Sequence, residues 1–197
     1  MSIRIIVPHR GLAASKTRLA PVLDAREREA LAERLLRRVL GVVVPVAPVV
    51  VITPSEELRA LVEAAGATLE VQHGMGLNAG LEQARARAIH EGTATLAVLH
   101  GDLPNLEPDD VRALIDAVPA GTGVAIAPDR RGTGTNGLAM QPPDAIGFHF
   151  GVGSFALHRA AAEAQRISLV VVDRPGLAFD LDTPADLARW LELGDAA

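Results

Sequence analysis

Apolar residues along the chain gather in short runs, separated by longer stretches in which they recur every three or four positions. Ile3 to Val7 is such a run, closed by Pro8, and reads as a first strand. Leu31, Leu35, Leu36, Val39 and Leu40 then recur at helical spacing among Arg and Glu, which predicts an amphipathic helix from about 26 to 40. Val49 to Ile52 is a second buried strand. In Thr53-Pro54-Ser55-Glu56 the Thr reads as N-cap, Pro as the first helical residue and Glu as its capping partner, opening a helix that runs to about Ala65 and closes at Gly66. Thr68 to Gln72 follows as a strand, and Leu77, Leu81, Ala84 and Ala88 mark a helix ended by Gly92.

Thr93 to Pro104 carries an apolar run that stops abruptly at Gly101 and Asp102, the pattern of a fully buried strand. Pro108, Asp109 and Asp110 then form the first turn of a helix whose apolar face is Val111, Leu114, Ile115 and Val118. Val124 to Ala127 reads as a strand, Asp129 to Asn136 as a loop and Leu138 to Met140 as a further strand. Ser154 to Ala164 predicts a helix, Leu169 to Val172 a strand and Leu177 to Phe179 a short extended piece. Thr183 caps a last helix bearing Leu187, Trp190 and Leu191.

Strands alternating with helices imply an α/β fold: a Rossmann-like, mostly parallel sheet with flanking helices, in one domain spanning 1–197. In open α/β sheets ligands collect just beyond the carboxyl ends of strands. Asp102 stands at such an end and is a candidate ligand, although Asp-Leu-Pro is also good turn chemistry.

Composition narrows the classes. A net charge of -5 without a basic tract argues against nucleic acid as the main partner. No apolar run approaches the roughly 18 residues of a membrane span, and MSIRIIVPHR lacks a signal-peptide pattern, so a cytoplasmic setting is expected. Cysteine is absent, which removes disulfides and thiolate chemistry. Of 19 basic residues one alone, Lys16, is Lys, as if that position wants a compact charge on a flexible stem.

Several constellations could carry chemistry. In Phe179-Asp180-Leu181-Asp182, extended backbone points both carboxylates to one side. Two adjacent acids repel unless a cation lies between them. Mg²⁺ takes one or two carboxylates and completes its shell with water and phosphate, so Asp102, Asp180 and Asp182 form a candidate metal set. Phe150-Gly151-Val152-Gly153-Ser154 precedes a helix and suits an anion seat or an ordinary entry turn. Gly132 to Asn136 is a second hydroxyl-rich loop. Gly11 to Thr17 resembles a phosphate loop but lacks the glycine before Lys16 and is one residue short. Gly74-Met75-Gly76-Leu77-Asn78-Ala79 fits a dinucleotide fingerprint, yet it falls in the third βα unit. The histidines His9, His73, His90, His100, His149 and His158 show neither metal spacing nor a readable catalytic triad, and each reads as a surface or satisfied core residue.

As an ordered set, V-P-H-R-G-L-A-A-S-K-T-R-L-A-P, G-L-N-A, H-G-D-L-P, A-P-D-R-R-G-T-G-T-N, F-G-V-G-S-F and F-D-L-D-T-P resemble the 2-phospho-L-lactate guanylyltransferase family of coenzyme F420 biosynthesis. The resemblance runs from Val7 to Pro184 and implies a GT-A type nucleotidyltransferase fold. It further implies that Arg10, Lys16 and Arg18 hold the GTP phosphates, that Gly76, Leu77 and Asn78 face the nucleobase, and that Asp102, Asp180 and Asp182 bind Mg²⁺. Lys16, Arg18 and Asp102 are thereby the expected catalytic residues, and Thr135, Gly151 and Ser154 the seat for a phosphorylated acid. Arg10 stands where the family often has Lys, and His100 where Pro is common.

The implied reaction transfers GMP from GTP to phosphoenolpyruvate, 2-phospho-L-lactate or 3-phosphoglycerate, and sequence does not choose among them. The expected partners are GTP and a small phosphorylated acid; a homodimer and product hand-off to the next enzyme are compatible with this reading. Molybdenum-cofactor or sugar-phosphate nucleotidyl transfer is an alternative, weakened by the lack of a G-x-G-T-R loop. A non-catalytic nucleotide-binding module is another.

Overall fold

The computed structural model describes residues 2–192. Seven strands form one sheet: β1 (Ile3–Pro8), β2 (Val49–Thr53), β3 (Thr68–Val71), β4 (Thr95–Leu99), β5 (Gly123–Pro128), β6 (Thr135–Gln141) and β7 (Ser168–Val171). Their order is β3-β2-β1-β4-β6-β5-β7. Pairings are parallel except those of β6, which runs antiparallel to both β4 and β5. The predicted mostly parallel α/β sheet is what forms.

Helices cover both faces: α1 (Ala25–Val43), α2 (Arg59–Ala64), α3 (Leu77–His90), α4 (Pro108–Asp116), α5 (Ser154–Ala164), the single turn α6 (Pro175–Ala178) and α7 (Pro184–Glu192). Successive strand residues point to opposite faces, and each face has its own core. On one, Ile5, Val7, Val51, Ala97 and Leu99 pack against Leu36, Val39 and Leu40 of α1 and Leu114 of α4. On the other, Ile6, Ile52, Val98, Ile126 and Leu138 meet Leu81, Ala84 and Ala88 of α3. Burial on both sides explains why β2, β4 and β5 read as continuous apolar runs rather than alternating ones.

Three local expectations differ from the structure. The helix after β2 is not capped by Thr53, which stays buried in the strand; Ser55 accepts the Glu57 amide instead, and the first turn, 56–58, is 3-10. Strand β6 begins at Thr135, so Thr135 and Asn136 belong to a buried strand and not to the preceding loop. Leu177 lies in the helical turn α6, because Pro175 starts a turn in which the Leu177 and Ala178 amides bond to the Arg174 carbonyl.

A third, smaller cluster positions the site. Leu19 and Leu35 pack with Phe179, Leu181 and Trp190, tying the 3-10 turn 17–19 and segment 179–182 to α1 and α7. Phe179 and Leu181 bury while Asp180 and Asp182 stay partly exposed, which is the alternation expected of extended chain. The Leu181 amide then donates to the Asp102 carbonyl at 3.1 Å, joining this segment to the end of β4.

Candidate active site

A cleft of ≈ 480 Å³ opens beyond the carboxyl ends of β1, β2 and β4, and Arg10, Lys16, Arg18, Gly76, Leu77, Asp102 and Asp182 are among the residues lining it. The loop after β1 is shaped locally. His9 Nδ1 accepts from the Gly11 amide at 3.0 Å, Glu57 accepts from the Leu12 amide at 2.7 Å, and the Ser15 hydroxyl donates to the Gly11 carbonyl at 2.6 Å. Lys16 itself has a left-handed backbone, φ 53° and ψ 30°, a conformation that disfavours residues with a Cβ. Burial of Leu19 in the small cluster holds the loop in this shape and turns the Lys16 side chain inward.

The Lys16 ammonium lies 2.6 Å from Asp102 Oδ2 and 3.1 Å from Asp182 Oδ1, with its side chain 5% exposed. Arg18, largely exposed, approaches the other oxygen of Asp182 at 3.5 Å. Burial alone would lower the Lys16 pKa, but Asp102 and Asp182 outweigh it and hold the ammonium above its ordinary value. Burial would raise Asp102, yet Lys16 holds its carboxyl below the usual range. For Asp180, burial and then the nearby Asp102 and Asp182 charges push the carboxyl upward. Three acids therefore meet at one rim of the sheet with one buried ammonium among them.

The donor set can be tested against a divalent cation. Among the described residues no group of three or more His, Cys, Asp or Glu side chains is arranged to hold a metal as it stands, and Lys16 fills the space between two of the three aspartates. The charge and satisfaction of the site nevertheless fit one: Asp102 Oδ1 is buried without a hydrogen-bond partner, and Asp180 is raised by burial and then by its acidic neighbours. An added hard cation with oxygen preference would relieve both.

The remaining predicted residues fall into two groups. Gly76, φ 89°, starts α3 without a side-chain cap, so the first-turn amides have no side-chain acceptor there, and Gly76 and Leu77 line the cleft. Asn78 follows them, but its amide clamps a neighbouring loop: Nδ2 donates to the Phe150 carbonyl and Oδ1 accepts the Phe150 amide, both at 3.0 Å. Thr135 and Ser154 are buried, each 2% exposed, beside that loop, while Gly151 is exposed. None of these three lines the large cleft.

Further side chains take part that were not among the predicted site residues. Asn136 Nδ2 donates to the Leu177 carbonyl at 2.9 Å and reaches Asp180 Oδ1 at 3.4 Å, steadying that acid. Thr183 caps α7 as expected, its hydroxyl accepting the Asp186 amide at 3.3 Å, while Asp186 reaches back to accept the Asp182 and Thr183 amides and pairs with Arg130, leaving the Asp182 carboxylate to Lys16 and Arg18. His100 lines the cleft and packs against Phe150 with the rings tilted by 39°, its Nε2 buried and unpartnered. His158, fully buried, touches Thr135. Its four-residue spacing from Ser154 was the available signal, since i and i+4 share a helix face.

The family model described as guanylyl transferase CofC like matches residues 3–196. A protein of Rubrobacter xylanophilus named phosphoenolpyruvate guanylyltransferase is 41% identical over 191 residues, covering 96% of this chain and 93% of that one. A Colwellia psychrerythraea protein named 3-phospho-D-glycerate guanylyltransferase is 30% identical, covering 95% of this chain and 90% of its own. Among solved structures, a putative nucleotide-diphospho-sugar transferase from Desulfovibrio desulfuricans G20 superposes with TM-score 0.82 at 17% identity, covering 100% of this chain and 90% of that one. That likeness is one of fold, GT-A-like.

Proposed function

This chain belongs to the CofC-like guanylyl transferase family and is a nucleotidyltransferase, and from that premise we propose that it moves GMP from GTP to the phosphate of a three-carbon phospho-acid, releasing pyrophosphate. Phosphoenolpyruvate is the acceptor favoured here, because relatives at 41% identity carry that name, whereas the relative named for 3-phospho-D-glycerate is 30% identical. The reaction would serve coenzyme F420 biosynthesis in the cytoplasm.

The observation that carries the reading is Lys16, buried between Asp102 and Asp182 at the mouth of a cleft that Arg10 and Arg18 also line. A phosphate monoester is largely dianionic at neutral pH, its second pKa being about 6. One of its oxygens can attack the α-phosphorus of GTP without a general base. The bond to the bridging oxygen breaks, that oxygen leaves with pyrophosphate, and no proton has to move. What the protein must supply is charge control: two anions have to approach each other.

Arg10, Lys16 and Arg18 supply fixed positive charge for the triphosphate. Gly76, Leu77 and the start of α3 offer amides and apolar surface to the nucleoside. Thr135, Gly151 and Ser154 form the acceptor seat, steadied by the Asn78 clamp on Phe150. Asp102, Asp180 and Asp182 would hold Mg²⁺, which when bound neutralises phosphate oxygens and the leaving pyrophosphate. Supplying the purified protein with GTP, Mg²⁺ and each acid in turn, and following pyrophosphate, tests the proposal. Release with phosphoenolpyruvate is expected; none with any of the three acids would overturn it.

A further inference from the structure

His158 sits on α5, 0% exposed, and the chemistry above makes no use of it. Its Nε2 lies 3.0 Å from the His149 backbone nitrogen, and its Nδ1 lies 3.1 Å from Thr135 Oγ1. A backbone amide can only donate, so Nε2 must be the bare, accepting nitrogen. In the neutral ring the one proton is then on Nδ1. Burial, followed by the charges of His149 and His100, lowers the pKa to about 4, so the ring is neutral at physiological pH.

The tautomer constrains its neighbour. A protonated Nδ1 has no lone pair to offer, so Thr135 Oγ1 can only accept from it. The hydroxyl proton of Thr135 must therefore point elsewhere, and no other hydrogen bond of that side chain occurs among the described residues. A buried hydroxyl with its acceptor side occupied and its proton uncommitted is a donor awaiting an anion. We propose that His158 is a positioning residue for the acceptor: anchored by the His149 amide, it turns the Thr135 O–H away from itself and towards an anionic oxygen of the phospho-acid.

The same ring braces the rest of the seat. His149 and Phe150 lead into Gly151, and the Phe150 ring meets the His158 ring edge-on with centroids 4.9 Å apart. One imidazole thus fixes the entry to the glycine loop through His149 and the hydroxyl behind it through Thr135.

This inference rests on the reading that Thr135 belongs to the acceptor seat, and the experiment separates the two. Thr135→Val, His158→Gln and the double variant are assayed with GTP, Mg²⁺ and phosphoenolpyruvate. Gln carries its carbonyl oxygen at the ε position and can still accept the His149 amide there, but it has a carbon instead of an N–H at the δ position that faces Thr135. Each single change is expected to raise the KM for phosphoenolpyruvate about tenfold, leave the KM for GTP unchanged, and combine in the double variant to no more than one single change. If Thr135→Val raises that KM but His158→Gln does not, or if the two losses add, the positioning role is overturned while the seat stands. If Thr135→Val leaves that KM unchanged, the seat itself is wrong and the positioning role falls with it. Should His158→Gln fail to fold, the ring nitrogen resonances of His158 in the unaltered protein decide: a proton on Nδ1 is expected, and one on Nε2 overturns the proposal.

Discussion

The Lys16 ammonium lies 2.6 Å from Asp102 Oδ2, a contact that spans 86 positions of sequence and places the one lysine of the chain at the end of its central buried strand. Two acids hold that lysine, and the second, Asp182, comes from 166 positions away. The buried Lys16–Asp102 pair depends on both its members, because each has given up water for the other, whereas Asp182 keeps part of its hydration.

Removing the cation should therefore do two things. Lys16→Met leaves the buried Asp102 carboxylate without its ammonium, and we expect loss of about 3 kcal/mol of stability together with at least a hundredfold fall in kcat. Lys16→Arg keeps the charge but brings a planar fork to a pocket shaped for a compact ammonium, so most of the activity should still be lost. Thermal denaturation and pyrophosphate release measure both. Unchanged kinetics in Lys16→Arg would mean that the single lysine is an accident of composition.

Asp182→Asn separates chemistry from folding. Its side chain is 37% exposed, and Asp102 still holds Lys16, so stability should change by less than about 1 kcal/mol. Turnover with GTP and Mg²⁺ should vanish. Near-normal activity would remove Asp182 from the proposed metal set.

Acid should weaken the fold through its histidines before its carboxylates. Burial lowers both His9 and His158 from 6.5 to about 4. The unfolded chain takes up these protons first, so this stability is complete above pH 6.5 and is lost as pH falls towards 4. At pH 5 the loss is about 2 kcal/mol for each histidine. Denaturant unfolding at pH 7.5 and pH 5 checks this, and a His158→Gln variant should show a shallower slope. Equal stability at the two pH values would refute it.

Lys16 behaves in the opposite sense. Its folded pKa is raised by Asp102 and Asp182, so the stabilisation is present below the ordinary lysine value and fades only as pH rises through the folded one. The protein should accordingly keep its stability up to about pH 10, a plateau that unfolding curves at pH 8, 9 and 10 would reveal.

Asn78→Leu tests the clamp between α3 and the glycine loop. Two hydrogen bonds to the Phe150 backbone disappear, leaving a part-buried amide and carbonyl unpaired, at about 2 kcal/mol. The KM for phosphoenolpyruvate should rise more than that for GTP. The reverse order would return Asn78 to the nucleobase.

Much of this protein was legible in its sequence because the physics that sets it is local. A run such as Thr95 to Leu99 is buried on both sides and can only be a central strand. The period of α1 and the alternation through Phe179 to Asp182 likewise follow from backbone geometry. The family resemblance supplied a set of candidate residues without saying which would touch. That was decided by tertiary contacts: Leu181 bonding to Asp102, Leu19 pulling its loop inward, and Lys16 entering between two acids. Asn78 and His158 show the limit most clearly, since each acts on backbone amides of the segment 149–150, far along the chain or on another element. Hydrogen-bond partners of this kind have no periodicity and no preferred spacing. They exist only once the sheet has brought the strand ends together.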